Sequence, residues 1–154
     1  MLWQPTPRKL SPVFLKTLHR IKQVQRFGQG ATMFQQGSAV KGVYVVESGE
    51  VRLLLETAGC PRQLLEIAGP GAMLGLSESL SGGGYKVTAE AGYSTTAVFI
   101  PRNEFLAFLR EHRNFCMQIV RVLSEDLHGL YHKFRSISAH PGRPRQRPLI
   151  EQLN

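Results

Sequence analysis

The sequence predicts a mainly β fold with flanking helices: a double-stranded β-helix, or jelly-roll-like β-roll, followed by a long C-terminal dimerisation helix. Three observations predict it. Between Val24 and Pro101, short β-rich runs alternate with glycine-bearing turns, the pattern of a sandwich or barrel. On either side of that stretch, apolar residues recur at helical spacing. The last helical segment carries a heptad seam, which suits a helix that pairs with another helix.

Residues 1–22 form an N-terminal arm and a short helix. In "SPVFLKTLHRI", Ser11 is placed to cap and Pro12 to occupy the first turn. Phe14, Leu15, Leu18 and Ile21 then fall on one face. Residues 23–113 form the β-roll, built from "VQRF", "ATMF", "GVYVVE", "EVRLLLE", "RQLLEI", "KVTAEA" and "STTAVFI". The stretch "VYVVESGEVRLLL" reads as a hairpin turning at Ser48–Gly49. Ser77, Glu78 and Ser79 are placed to cap or line a short helical turn after Gly75. "RNEFLAFLREH" is a short helix with Asn103 as its cap.

Residues 114–138 form the long helix. Its seam is Cys116, Val120, Leu123, Leu127, Leu130, Phe134 and Ile137, spaced alternately by four and three. A second apolar set, Phe115, Ile119 and Val122, lies beside the seam near its start and suits packing on the β-core. The prolines at 141, 144 and 148 stop the helix. Residues 139–154 therefore read as a flexible basic tail.

Composition narrows the function. A chain of 154 residues is about one domain. No apolar run is long enough to span a bilayer, and "MLWQPTPRKL" lacks the apolar stretch of a secretory leader. A cytoplasmic protein with no membrane partner is expected. Cys60 and Cys116 lack metal spacing and read as structural thiols. His128 and His132 stand four apart on the long helix, but no third ligand is evident, so they read as a solvated face and no metal is expected. No nucleophile elbow, phosphate loop of the Walker type or paired-carboxylate pattern appears, so catalysis is not expected. The net charge is +8, concentrated after Leu127. "GRPRQRP" suits weak, salt-sensitive, sequence-independent contact with nucleic acid.

The informative stretch is "GAMLGLSESLSGGGYKVTAEA", residues 71–91. Glycines at this density let a backbone come close to something, and an anion is the natural guest. Yet no arginine lies between Arg62 and Arg102. In their order and spacing, "F-x-x-G" at Phe34–Gly37, "Y-x-V-x-x-G-x-V" within Val43–Leu55, "GAMLG" at Gly71–Gly75 and "IPRNEFLAFLREH" resemble the cyclic nucleotide-binding domain of the Crp/Fnr family of bacterial transcription regulators. The resemblance covers about residues 10–138.

The resemblance implies a regulatory, ligand-sensing domain that is not an enzyme. It implies a homodimer through the long helix, with Val120, Leu123, Leu127, Leu130, Phe134 and Ile137 at the interface. It implies a pocket at Gly71, Gly75, Ser77, Tyr85, Lys86 and Thr88, for a cyclic nucleotide (cAMP or cGMP) or another anionic small molecule. Two departures qualify it. The family's ribose-binding Glu is Leu76 here, and its Arg–Ser/Thr phosphate clamp aligns with Tyr85 and Lys86. The cassette is therefore degenerate for cAMP, although Lys86 retains a point charge. DNA is a partner only if the full-length protein carries a helix-turn-helix domain, which residues 138–154 are too short to hold. The rival readings are a ligand-free dimeric interaction module, and a true cyclic-nucleotide binder that uses Lys86 in place of Arg.

Overall fold

The computed structural model describes residues 23–138; the arm and first helix of residues 1–22 and the basic tail of residues 139–154 lie outside the described residues. Two four-stranded antiparallel sheets make a β-roll. One has the order β1 (Gln23–Phe27), β8 (Thr95–Pro101), β3 (Gly42–Ser48), β6 (Met73–Leu74). The other has the order β2 (Thr32–Phe34), β7 (Thr88–Ala91), β4 (Val51–Leu55), β5 (Gln63–Ala68). Helix α1 (Leu76–Ser81) lies between β6 and β7, and α2 (Arg102–Glu111) and α3 (Arg113–Ser138) follow β8.

The run "VYVV" is continuously apolar because both faces of β3 are covered. Tyr44 and Val46 point into the roll and join Phe34, Leu74, Tyr85 and Phe99. Val43 and Val45 point the other way, onto Leu76, Phe105, Phe108, Phe115 and Ile119 under the helices. Strand β8 repeats this division, with Phe99 inside the roll and Val98 and Ile100 outside it. The second apolar set of the long helix therefore packs as its spacing suggested. Phe115 is fully buried, edge-on to Phe105 and Phe108 at centroid distances of 6.1 and 4.8 Å.

Three local readings need correction. The stretch Val43–Leu55 is not a hairpin: β3 pairs with β6 and β8, whereas β4 pairs with β5 and β7. Gly49, at φ +92°, carries the chain from one sheet to the other, and a Cβ there would stand 2.5 Å from Ser94 O and Thr95 Oγ1. Thr95 Oγ1 fixes the corner, accepting from the Glu50 amide at 3.2 Å and lying 3.0 Å from Glu50 O. Asn103 is not a cap, because α2 begins one residue earlier with Pro101 at the N-cap. Ser77, Glu78 and Ser79 line the short helix after Gly75 as expected but do not cap it: Gly75 holds the N-cap position, with no side-chain capping bond.

Candidate functional site

The glycines of the cassette are there for close approach, and what approaches is the protein's own core. Gly71 has φ +92°, and its amide donates to Val46 O at 2.8 Å while Val46 N donates to Ala72 O at 3.0 Å. This pins the loop to the edge of β3. Gly75 has φ +77°, and a Cβ there would stand 2.9 Å from both Gly42 O and Tyr85 Cε1. Any side chain at Gly75 would meet a backbone carbonyl and an aromatic ring in a backbone conformation that already disfavours L-residues.

Tyr85 is that ring. It is 3% exposed and stacks on Phe34 at a centroid distance of 4.0 Å. Its hydroxyl donates to Gly42 O at 3.1 Å and accepts from the amides of Lys41 and Gly42 at 3.1 and 3.3 Å. The phenol thus ties the turn before β7 to the start of β3. Nearby, burial and then the neighbouring Tyr85 hold the Tyr44 phenol above its ordinary pKa. Leu76 is buried beneath α2 and α3.

The other candidate residues divide by exposure. Thr88 is buried, and its Oγ1 accepts from the Gln36 amide at 2.9 Å. Ser77 and Lys86 are exposed. Glu78, half-buried on α1, has its carboxyl raised above the ordinary range by burial, against a smaller opposing pull from the Lys86 ammonium. The cassette thus gathers Gly75, Tyr85 and Thr88 into the fold and leaves Ser77 and Lys86 at its surface.

Two contacts escaped the sequence reading. Arg102 donates through Nε to Ser79 O at 2.9 Å, joining α2 to the last turn of α1. Gln36 pairs its side-chain amide with the Glu56 backbone, Nε2 donating at 2.9 Å and Oε1 accepting at 2.8 Å. Both span separations that no local pattern encodes. The only available signal was that Arg102 is the first arginine after the gap beginning at Arg62.

On α3, Val120 and Leu127 are 50% and 71% exposed, whereas Leu123 packs partly on the chain's own core. The side chains of Leu130, Phe134 and Ile137 lie outside the described residues. Among the described residues, no group of three or more His, Cys, Asp or Glu is placed to hold a metal. No described helix is long and apolar enough to cross a membrane.

Comparison with known proteins agrees with this geometry. Residues 24–112 match the family model for the cyclic nucleotide-binding domain. A curated relative, the cyclic AMP receptor protein of Thermus thermophilus, is 32% identical over 88 residues, which cover 57% of this chain and 41% of that one. The chain thus spans about two fifths of the length of that relative. The solved Thermus thermophilus catabolite activator protein superposes with a TM-score of 0.74 at 25% identity, covering 88% of this chain and 63% of that one. A Thermotoga maritima transcriptional regulator superposes at 0.71 with 18% identity, covering 82% and 98%; at that identity the likeness is one of fold.

Proposed function

This chain belongs to the cyclic nucleotide-binding domain family, of the Crp type, and from that premise we propose that it is a ligand-sensing regulatory domain acting as a homodimer through α3. Its cassette is degenerate for cAMP and takes a different anionic small molecule, met by Lys86 and Ser77 at the surface. One observation carries this reading. Tyr85, where the family places its phosphate-binding Arg, spends its hydroxyl on Lys41 and Gly42. A phenol so engaged has no proton left to donate to a cyclic phosphate. The burial of Leu76 supports the same conclusion for the ribose.

The regulatory step is a population shift between two dimer geometries. A guest at the cassette displaces α1. Leu76 on α1 shares one core cluster with Phe105 and Phe108 of α2, which pack on Phe115 of α3. The exposed Val120 and Leu127, with Leu123, Leu130, Phe134 and Ile137, form the seam that responds. DNA is a partner only if the full-length protein carries a helix-turn-helix domain; otherwise contact with nucleic acid is weak and non-specific, through the basic tail.

The test is a calorimetric titration of the chain with cAMP and then cGMP, beside Lys86→Ala. The expected result is no micromolar binding of either nucleotide. Micromolar binding abolished by Lys86→Ala would instead make the chain a true nucleotide sensor with Lys in place of Arg. Dimerisation is tested by light scattering of Leu127→Asp. A drop to monomer mass is expected, and an unchanged dimer mass would refute the seam.

A further inference from the structure

The cassette's own strand offers no arginine, but the fold brings one to it. Arg102 leaves β8 beside Lys41, its amide donating to Lys41 O at 2.9 Å. Its side chain turns toward α1, and the Nε bond to Ser79 O fixes the plane of the guanidinium. Nη2 then lies 3.1 Å from the point where a Cβ on Gly82 would stand, so the fork rests against the Gly82–Gly84 turn. Among the described residues, neither Nη nitrogen has a hydrogen-bond or ion-pair partner. A Cβ at Gly83 would meet no atom within 4 Å, so the turn is open outward.

Two further cations border this corner. Lys41 is exposed and stands two residues after Ala39, which bridges Gly84. Lys86 is exposed two residues after Gly84. The opposing charges are Glu78 on α1, which feels the Lys86 ammonium, and Glu104 in the first turn of α2, which is exposed. An oriented guanidinium with two nitrogens unspent among the described residues suits bidentate contact with a phosphate group, which flexible ammonium groups then supplement.

We propose that the outer side of the Gly82–Gly84 turn is a phosphate-binding site whose guanidinium is supplied by Arg102, with Lys41 and Lys86 flanking it. This rests on the reading of the domain as a sensor of anionic small molecules and names the group that would hold the anion. The glycines serve two purposes: Gly75 admits Tyr85 on the inside, and Gly82 admits Arg102 on the outside. A phosphate here stands beside the junction of α1 and α2, the contact through which the helices follow the cassette.

The experiment is an amide NMR titration of the chain with sodium phosphate at fixed ionic strength, repeated with AMP and with cAMP. Saturable shifts are expected at Gly82, Gly83, Gly84 and Lys86. Arg102→Gln should weaken phosphate by roughly tenfold or more, the loss of a charge-assisted contact. Arg102→Lys should restore part of it. Glu78→Gln, which removes the opposing charge, should tighten it, an effect that a purely structural role for Arg102 does not predict. Equal titration of wild type and Arg102→Gln, or the same shifts with sodium chloride, would overturn the proposal. Should Arg102→Gln fail to fold, Lys41→Ala and Lys86→Ala decide it, and unchanged phosphate affinity in both would overturn it. The AMP arm distinguishes a bound phosphomonoester from free phosphate. The cAMP arm separates the two readings. Shifts confined to strands inside the roll would remove this site and leave a nucleotide sensor. Loop shifts with no response in α3 would keep the site and remove the sensing role.

Discussion

Replacing Tyr85 with Phe removes one oxygen from the cassette and leaves the ring stacked on Phe34. That oxygen serves three backbone groups: the amides of Lys41 and Gly42 and the Gly42 carbonyl. The bonds at Gly42 are buried and the one at Lys41 is partly so. Leaving a buried polar group without a partner costs about 1–3 kcal/mol. Bonds of 3.1–3.3 Å to a neutral hydroxyl belong at the weaker end of that range. The three are also not independent, because one hydroxyl serves them all. The expected loss is therefore about 2–3 kcal/mol, or roughly 6–12 °C in Tm for a domain of this size. Urea denaturation with an unchanged m-value checks the magnitude, and faster hydrogen exchange at the Gly42 amide checks its location. A change below about 0.5 kcal/mol would refute the role of the hydroxyl as a strut. An intact fold with weakened binding of an anionic ligand would return Tyr85 to the pocket, where the family resemblance places it.

Two further substitutions probe the same region. Gly75→Ala imposes a left-handed backbone on an L-residue and drives a Cβ to 2.9 Å from Gly42 O and Tyr85 Cε1; the expected loss is about 2–4 kcal/mol by chemical denaturation, and a wild-type midpoint would show that the loop relaxes freely. Glu78 supplies a pH signature. Its folded carboxyl lies above the ordinary range because of burial, so its contribution to stability is fully present below that range and is lost as pH rises through the raised value. Glu78→Gln should therefore melt higher than wild type near neutral pH, with the gap closing in acid, and a gap that grows in acid would contradict the assigned cause.

Much of the fold was legible because burial writes itself into local patterns. The unbroken "VYVV" of β3 and the set Phe115, Ile119 and Val122 on α3 each reflect a covered face. The corner at Gly49 was not legible, since a Ser–Gly pair between two apolar runs fits a hairpin as well as a change of sheet. What decides it is Thr95, forty-five residues from Glu50. The candidate site was legible as a place but not as a chemistry. The density of glycine located the cassette. Whether Gly75 makes room for an anion or for Tyr85 depends on where the turn before β7 meets Gly42, which only tertiary contact determines. Arg102 escaped notice for the same reason: its reach to Ser79 spans twenty-three positions.

Strand β3 has no idle side. Along it, Val43, Tyr44, Val45 and Val46 face alternately the helices and the interior of the roll, and successive Cα atoms stand only about 3.8 Å apart. A partition one strand thick cannot be deformed from one side in private. Repacking around Tyr44 inside the roll shifts the backbone that carries Val43 and Val45, and with them the seating of Phe105 and Phe115. Mutational tolerance in β3 should accordingly be low, as in β8, because every change of volume is felt on both faces at once. The interior of the roll and the packing beneath the helices thus share a wall.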